Sequence, residues 1–125
     1  MAFCRAYFGL FVILFLIGCS QSSRPPLGRV SGTITLDSQP LEGVIINFRP
    51  DKGRTATSQT DSEGHYELEY EYQVKGALVG PSTVSFVWPT GAEDKSEIPA
   101  KYAAESEIKY EVKAGNNTFD FDIKP

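Results

Sequence analysis

The chain has 125 residues, 41% of them hydrophobic, and carries 16 acidic against 12 basic side chains for a formal net charge of −4. That balance excludes a partner held by clustered Lys and Arg, which sets aside nucleic acid and electrostatic adhesion to anionic lipid headgroups. Two cysteines exclude a disulfide framework, and a single histidine leaves little from which to build a zinc centre.

In chain order, Arg5 precedes an apolar run over residues 6–18, and the run closes on Leu16-Ile17-Gly18-Cys19. A membrane-spanning helix needs about 20 apolar residues, whereas the core of a secretory leader takes roughly 7–15. The run has no polar face at a 3.6-residue period, which argues against a buried core helix. The expectation is a signal-peptide helix over residues 1–18. A small residue before a cysteine, directly after such a run, resembles a bacterial lipoprotein processing site. The resemblance implies that Cys19 receives diacylglycerol, becomes the first residue and carries two or three acyl chains such as palmitate. Each buried CH₂ contributes about 0.8 kcal/mol, so one chain binds reversibly and two or three hold firmly. An ordinary leader cut without lipid is the alternative, but it gives Cys19 no role. Ser20, where an Asp would retain such a protein in the inner membrane, implies the outer membrane. Residues 19–27 read as a tether, flexible through its serines and stiffened at Pro25-Pro26. The processed chain would keep 107 residues, with Cys4 removed and Cys19 acylated, so its stability must come from packing. The membrane contact is then expected through the lipid and not through a protein face.

Residues 28–125 alternate with period two, the mark of strands buried on one face. Val30, Ile34 and Leu36 form a first apolar row with Gly32 among them. Asp37-Ser38-Gln39-Pro40 supplies turn chemistry before the row Val44, Ile46, Phe48. Residues 55–60 read as a polar edge strand. Asp61-Ser62-Glu63-Gly64 is a tight turn in which Gly64 is free to adopt positive φ. Tyr66, Leu68 and Tyr70 then alternate with His65, Glu67, Glu69 and Glu71. A row at Val84, Phe86 and Trp88 follows Gly80-Pro81. Residues 89–104 read as a long loop with a short helical turn near 100–104. Ile108, Tyr110 and Val112 make a sixth row, Ala114-Gly115-Asn116-Asn117 turns the chain back, and Phe119, Phe121 and Ile123 close it. Six or seven short strands separated by turn signals predict an all-β sandwich with no long helix in the domain.

Pro40-Leu41-Glu42-Gly43-Val44 and Thr60-Asp61-Ser62-Glu63-Gly64-His65-Tyr66 resemble the second strand and the Thr-Asp-x-x-Gly-x-Tyr/Phe turn of carboxypeptidase regulatory-like domains. Ile98-Pro99-Ala100-Lys101-Tyr102 and Gly115-Asn116-Asn117-Thr118-Phe119-Asp120-Phe121 are similar to segments of small lipoproteins of planctomycete-type bacteria that carry this domain. The resemblance covers roughly residues 16–124 and implies a transthyretin-like (prealbumin-like) sandwich of about seven strands. One departure stands out: Ser82 occupies the place of the family's aromatic after Gly80.

The family domain is an accessory to peptidases and not the peptidase, so the resemblance implies no catalytic, cofactor or metal residues. Transthyretin-like hydroxyisourate hydrolases end in Tyr-Arg-Gly-Ser, whereas this chain ends Phe121-Asp122-Ile123-Lys124-Pro125. His65 reads as an exposed strand residue, with a metal ligand or acid–base group as the alternative. Glu67, Glu69 and Glu71 are expected to share one strand face as a solvated ladder that blunts edge pairing, with weak divalent binding as the alternative. Tyr72, Trp88 and Tyr102 are candidates for an exposed sugar-stacking platform, with core packing as the alternative. The expected function is a lipid-anchored, non-catalytic cell-envelope module with a structural or protein-interaction role. Its expected partners are the membrane, through the lipid, and an envelope protein or a glycan. A glycan-binding module is the alternative, and a small enzyme or metal-dependent protein centred on His65 is a third. That third reading requires a concavity in which His65 meets a carboxylate.

Overall fold

A computed structural model describes residues 25–92 and 97–125. The leader, Cys19 and the tether up to residue 24 lie outside the described residues. Two sheets face each other across one apolar core, with no α-helix among the described residues. The strands are β1 (Leu27–Leu36), β2 (Gln39–Pro40), β3 (Ile45–Pro50), β4 (Ala56–Gln59), β5 (His65–Glu67) and β6 (Glu69–Glu71). They continue with β7 (Val74–Lys75), β8 (Ala77–Leu78), β9 (Gly80–Val87), β10 (Ile108–Val112), β11 (Gly115–Thr118) and β12 (Phe121–Ile123). A short 3₁₀ turn over Ala100–Tyr102 stands where the loop pattern predicts a helical turn.

The ten residues of β1 form the spine of the first sheet. Along one edge β1 pairs in parallel with β11, then with β12. Along its other edge it pairs antiparallel with β8, β5 and β2 in turn. The second sheet runs β10-β9-β3-β4-β6-β7 and is antiparallel throughout. Alternation puts Val30 and Ile34 of the first sheet against Ile46, Phe48, Val84 and Phe86 of the second, all essentially without solvent contact. The Phe121 ring meets Phe86 and Tyr110 edge-on, each at 5.2 Å between centroids, and Phe119 lies 4.8 Å from Tyr110 and 6.0 Å from Phe48. These rings join the last strands of the chain to the second sheet and supply much of the buried apolar area.

The structure corrects four expectations. Residues 55–60 are not an edge: β4 lies between β3 and β6. Ala56 is fully buried there, and the Thr60 hydroxyl donates to the Leu41 carbonyl (2.6 Å) and accepts from the Val44 N–H (3.0 Å), so polar side chains are consumed by backbone partners. The Glu67, Glu69, Glu71 ladder is not one face. The chain leaves the first sheet and joins the second at Leu68, a fully buried residue that donates to the Val30 carbonyl and accepts from the Gly76 N–H. Asn116 and Asn117 are strand and not turn. The buried Asn117 side chain bonds Lys113 N–H, Lys113 carbonyl and Arg29 carbonyl, closing the reversal one step earlier. Finally, the roughly seven strands expected become twelve short segments, because the chain breaks at Leu68 into β5 and β6 and because β2, β7, β8 and β11 add short pairings where the sequence pattern shows turns or loops.

Candidate functional site

Gly32, in the middle of β1, has no side chain, and a Cβ there would lie 2.0 Å from the Phe119 carbonyl oxygen. This close approach admits the break between β11 and β12 beside β1. Three bonds fix the break: Phe119 N–H to the Ser31 carbonyl (2.9 Å), Thr33 N–H to Asp120 Oδ1 (2.9 Å), and the Tyr66 hydroxyl to the Phe119 carbonyl (2.6 Å). Burial, then the neighbouring Asp120 charge and Tyr110, pushes the Tyr66 phenol well above its ordinary value, so it stays a neutral donor.

Beside this break opens a groove of about 650 Å³, bordered by Gly32, Thr33, Asp61, His65, Glu67 and Asp120. The 61–64 turn meets its border at Asp61, next to His65. Asp61 Oδ1 accepts from the His65 and Glu63 N–H groups, each at 2.9 Å, and the Gly64 N–H returns to the Asp61 carbonyl. Those two backbone donors, His65 first, hold the Asp61 carboxyl below the usual carboxylate range. Gly64 takes φ 79° to close the turn. The turn folds Asp61, Glu63 and His65 onto one side, so that one ligand atom from each lies within 4.8 Å of the others. His65 Nδ1 stands 3.7 Å from Glu63 Oε2. All three side chains are exposed.

His65 therefore lies beside carboxylates at the border of a concavity, the arrangement required if it is a metal ligand or acid–base group. A nitrogen and two carboxylates are a donor set for a borderline divalent cation, with the remaining positions open to water. The signal was present in sequence as Asp-x-Glu-x-His across a glycine turn. Strand periodicity alone placed His65 by itself because it ignored the reversal that brings residues 61 and 63 alongside. Glu67 belongs to the same groove but is taken by Arg29, whose Nε and Nη2 both donate to Glu67 Oε2. Glu69 lies on the other sheet and pairs with Lys75 at 3.2 Å. Glu67 and Glu69 of the expected ladder thus have separate partners and do not converge.

The aromatic candidates do not assemble either. Tyr72, 84% exposed, sits in the β6–β7 turn. Trp88 follows β9 and packs against the core, and Tyr102 sets its ring 6.2 Å from Phe86 with Lys101 Nζ over its face. The strand registers place Trp88 and Tyr72 at opposite ends of the second sheet. No one sugar ring can span them.

No protein-family model matches the chain, and no curated protein matches it. Among solved structures, it is similar to a DUF3823 family protein from Parabacteroides merdae, with a TM-score of 0.49 and 12% identity over 82% of this chain and 48% of that one. The chain thus spans about half the length of that structure.

Proposed function

We propose that this chain is a non-catalytic module of the cell envelope, anchored to the membrane through acylated Cys19 and serving a structural or protein-interaction role. The observation that carries this reading is Leu16-Ile17-Gly18-Cys19 at the end of an apolar run too short to span a bilayer, a few polar residues ahead of β1. Exposed Pro25 and Pro26 lead into the first strand at an end of the sandwich, which suits a domain held on a short stalk. Membership of the carboxypeptidase regulatory-like, transthyretin-like domains of planctomycete-type lipoproteins is part of the proposal. The motifs that suggest it fall on coherent elements: residues 40–44 lead into β3, 60–66 form the turn between β4 and β5, and 115–121 run through β11 into β12. Ser20 favours the outer membrane.

Cys19→Ala tests the reading. The variant is expected to keep the fold, with unchanged thermal melting, and to leave the membrane fraction. Mass spectrometry of the natural protein is expected to find an acylated Cys19 at the amino end. An unacylated amino end, or unchanged membrane attachment of the variant, overturns it.

A further inference from the structure

A second concavity lies at the end of the sandwich where the chain enters β1. It encloses about 370 Å³ and is bordered by Pro25, Pro26, Pro50, Leu78, Val79 and Pro81. Pro26 is tied down by the Val79 N–H, 3.2 Å from its carbonyl oxygen, and Leu27 pairs with Leu78 across β1 and β8. Val79 is 40% exposed, one of three large apolar side chains left in solvent among the described residues. Asp51 and Lys52 also border the cleft.

From these observations we infer that this end of the sandwich is a membrane-contact face that rests on the lipid–water interface. The inference rests on the anchoring reading and adds to it an orientation and a protein surface. Two arguments select lipid as the occupant. The first is reach. Six residue steps separate Cys19 from Pro25, a contour of at most about 21 Å at 3.5 Å per residue. Pro25 and Pro26 themselves border the cleft, so an acylated Cys19 holds this face close to the headgroups at high effective concentration. A contact too weak to recruit a free protein is then populated.

The second argument is backbone chemistry. Moving a face into a medium poor in water is costly for every N–H left without a partner. Four of the bordering residues are prolines, which have no N–H, and the Val79 N–H is already bonded to Pro26. Lys52 can extend its ammonium to phosphate while its stem covers apolar surface. Asp51 opposes deeper entry and confines the contact to the interface. The negative net charge excludes electrostatic adhesion and does not oppose this small apolar contact.

The molecule supplies its own control. Val87 ends β9, whereas Val79 immediately precedes it. Val87 is comparably exposed, at 47%, but lies at the opposite end of a strand about 25 Å long. Processing removes Cys4 and acylation blocks the Cys19 thiol, so the mature wild-type protein has no thiol to label. Val79→Cys and Val87→Cys lipoproteins would be purified from membranes, labelled with an environment-sensitive maleimide dye and reconstituted into phosphatidylethanolamine–phosphatidylglycerol vesicles containing nitroxide lipids. The dye at position 79 is expected to lose roughly half its emission and that at 87 to keep its own, as for a face at the headgroup boundary. Pro81→Cys repeats the measurement on the same end if Val79→Cys melts below the wild type. Equal quenching at both ends, or none at position 79 or 81, overturns the inference; the latter is the outcome if a second copy, an envelope protein or residues 20–24 fill the cleft. Labelling of the wild-type protein would instead show a free thiol, either Cys4 on an uncleaved leader or an unacylated Cys19, which is failure of the anchoring reading itself.

Discussion

At the scale of single residues, Gly64 and Ser82 are opposite cases. Gly64 sits at φ 79°, and a Cβ there would meet the Ile34 carbonyl oxygen at 2.5 Å. Gly64→Val should therefore cost about 3 kcal/mol, combining left-handed strain with a clash against backbone; chemical denaturation measures it. Ser82 is 2% exposed and its Oγ has no hydrogen-bond partner. A buried hydroxyl without a partner carries its desolvation cost uncompensated. Ser82→Ala should leave stability unchanged or raise it by about 1 kcal/mol, read as a shifted denaturant midpoint. Gly64 was legible in the sequence because Asp-x-x-Gly is local turn chemistry. The left-handed φ values of Asp37 (51°) and Ser38 (68°) were not, since neither residue is glycine. They are sustained by partners remote in sequence: the Asp37 N–H reaches the Ile123 carbonyl and the Ser38 N–H reaches Asp122 Oδ1.

At the scale of elements, β12 secures the β1–β2 turn through Asp122. Its carboxylate accepts from the Thr35 hydroxyl (2.7 Å) and pairs with Lys124 Nζ (2.8 Å). Lys124 first, then Thr35 and the Ser38 N–H, holds Asp122 at about 2, below its ordinary 3.8. A depressed carboxyl stabilises the fold above the unfolded value and loses that contribution as pH falls through the folded one. Asp122→Asn keeps an acceptor oxygen but not the charge. It should melt below the wild type at pH 7, and the difference should close between about pH 4 and about pH 2. The site is exposed, so the shift will be modest and sensitive to salt. Element faces were readable from period-two alternation, as at Ile46, Phe48, Val84 and Phe86. Element partners were not. The alternation through Tyr66, Leu68 and Tyr70 continues without a break in sequence while the chain changes sheets at Leu68. The polar run 55–60 resembled an edge because Thr and Ser can satisfy themselves through backbone contacts that no local pattern reveals.

At the scale of the whole molecule, the early and late strands of the first sheet are joined through Tyr66, whose hydroxyl holds Phe119 beside β1. Its folded value is raised, chiefly by burial, so its contribution is complete below the unfolded value of about 10 and is lost as pH rises above it. Tyr66→Phe should cost about 1 kcal/mol at neutral pH and flatten the alkaline decline in stability, measured by denaturation across pH 7–11. The sequence by itself determined an all-β chain, the inward face of most strands, the tight turn at Asp61–Gly64 and the short apolar run that ends at Cys19. These are local properties: periodicity, turn propensity and length. Only the tertiary structure decided that β4 is interior, that Glu67 parts from Glu69, that Asp61 and His65 border one groove with Glu63 beside them, and that Pro25, Pro26, Pro50 and Pro81 gather at one end. Those depend on pairing between residues far apart in the chain, where alternation gives the face a side chain takes but leaves open which strand it will find there.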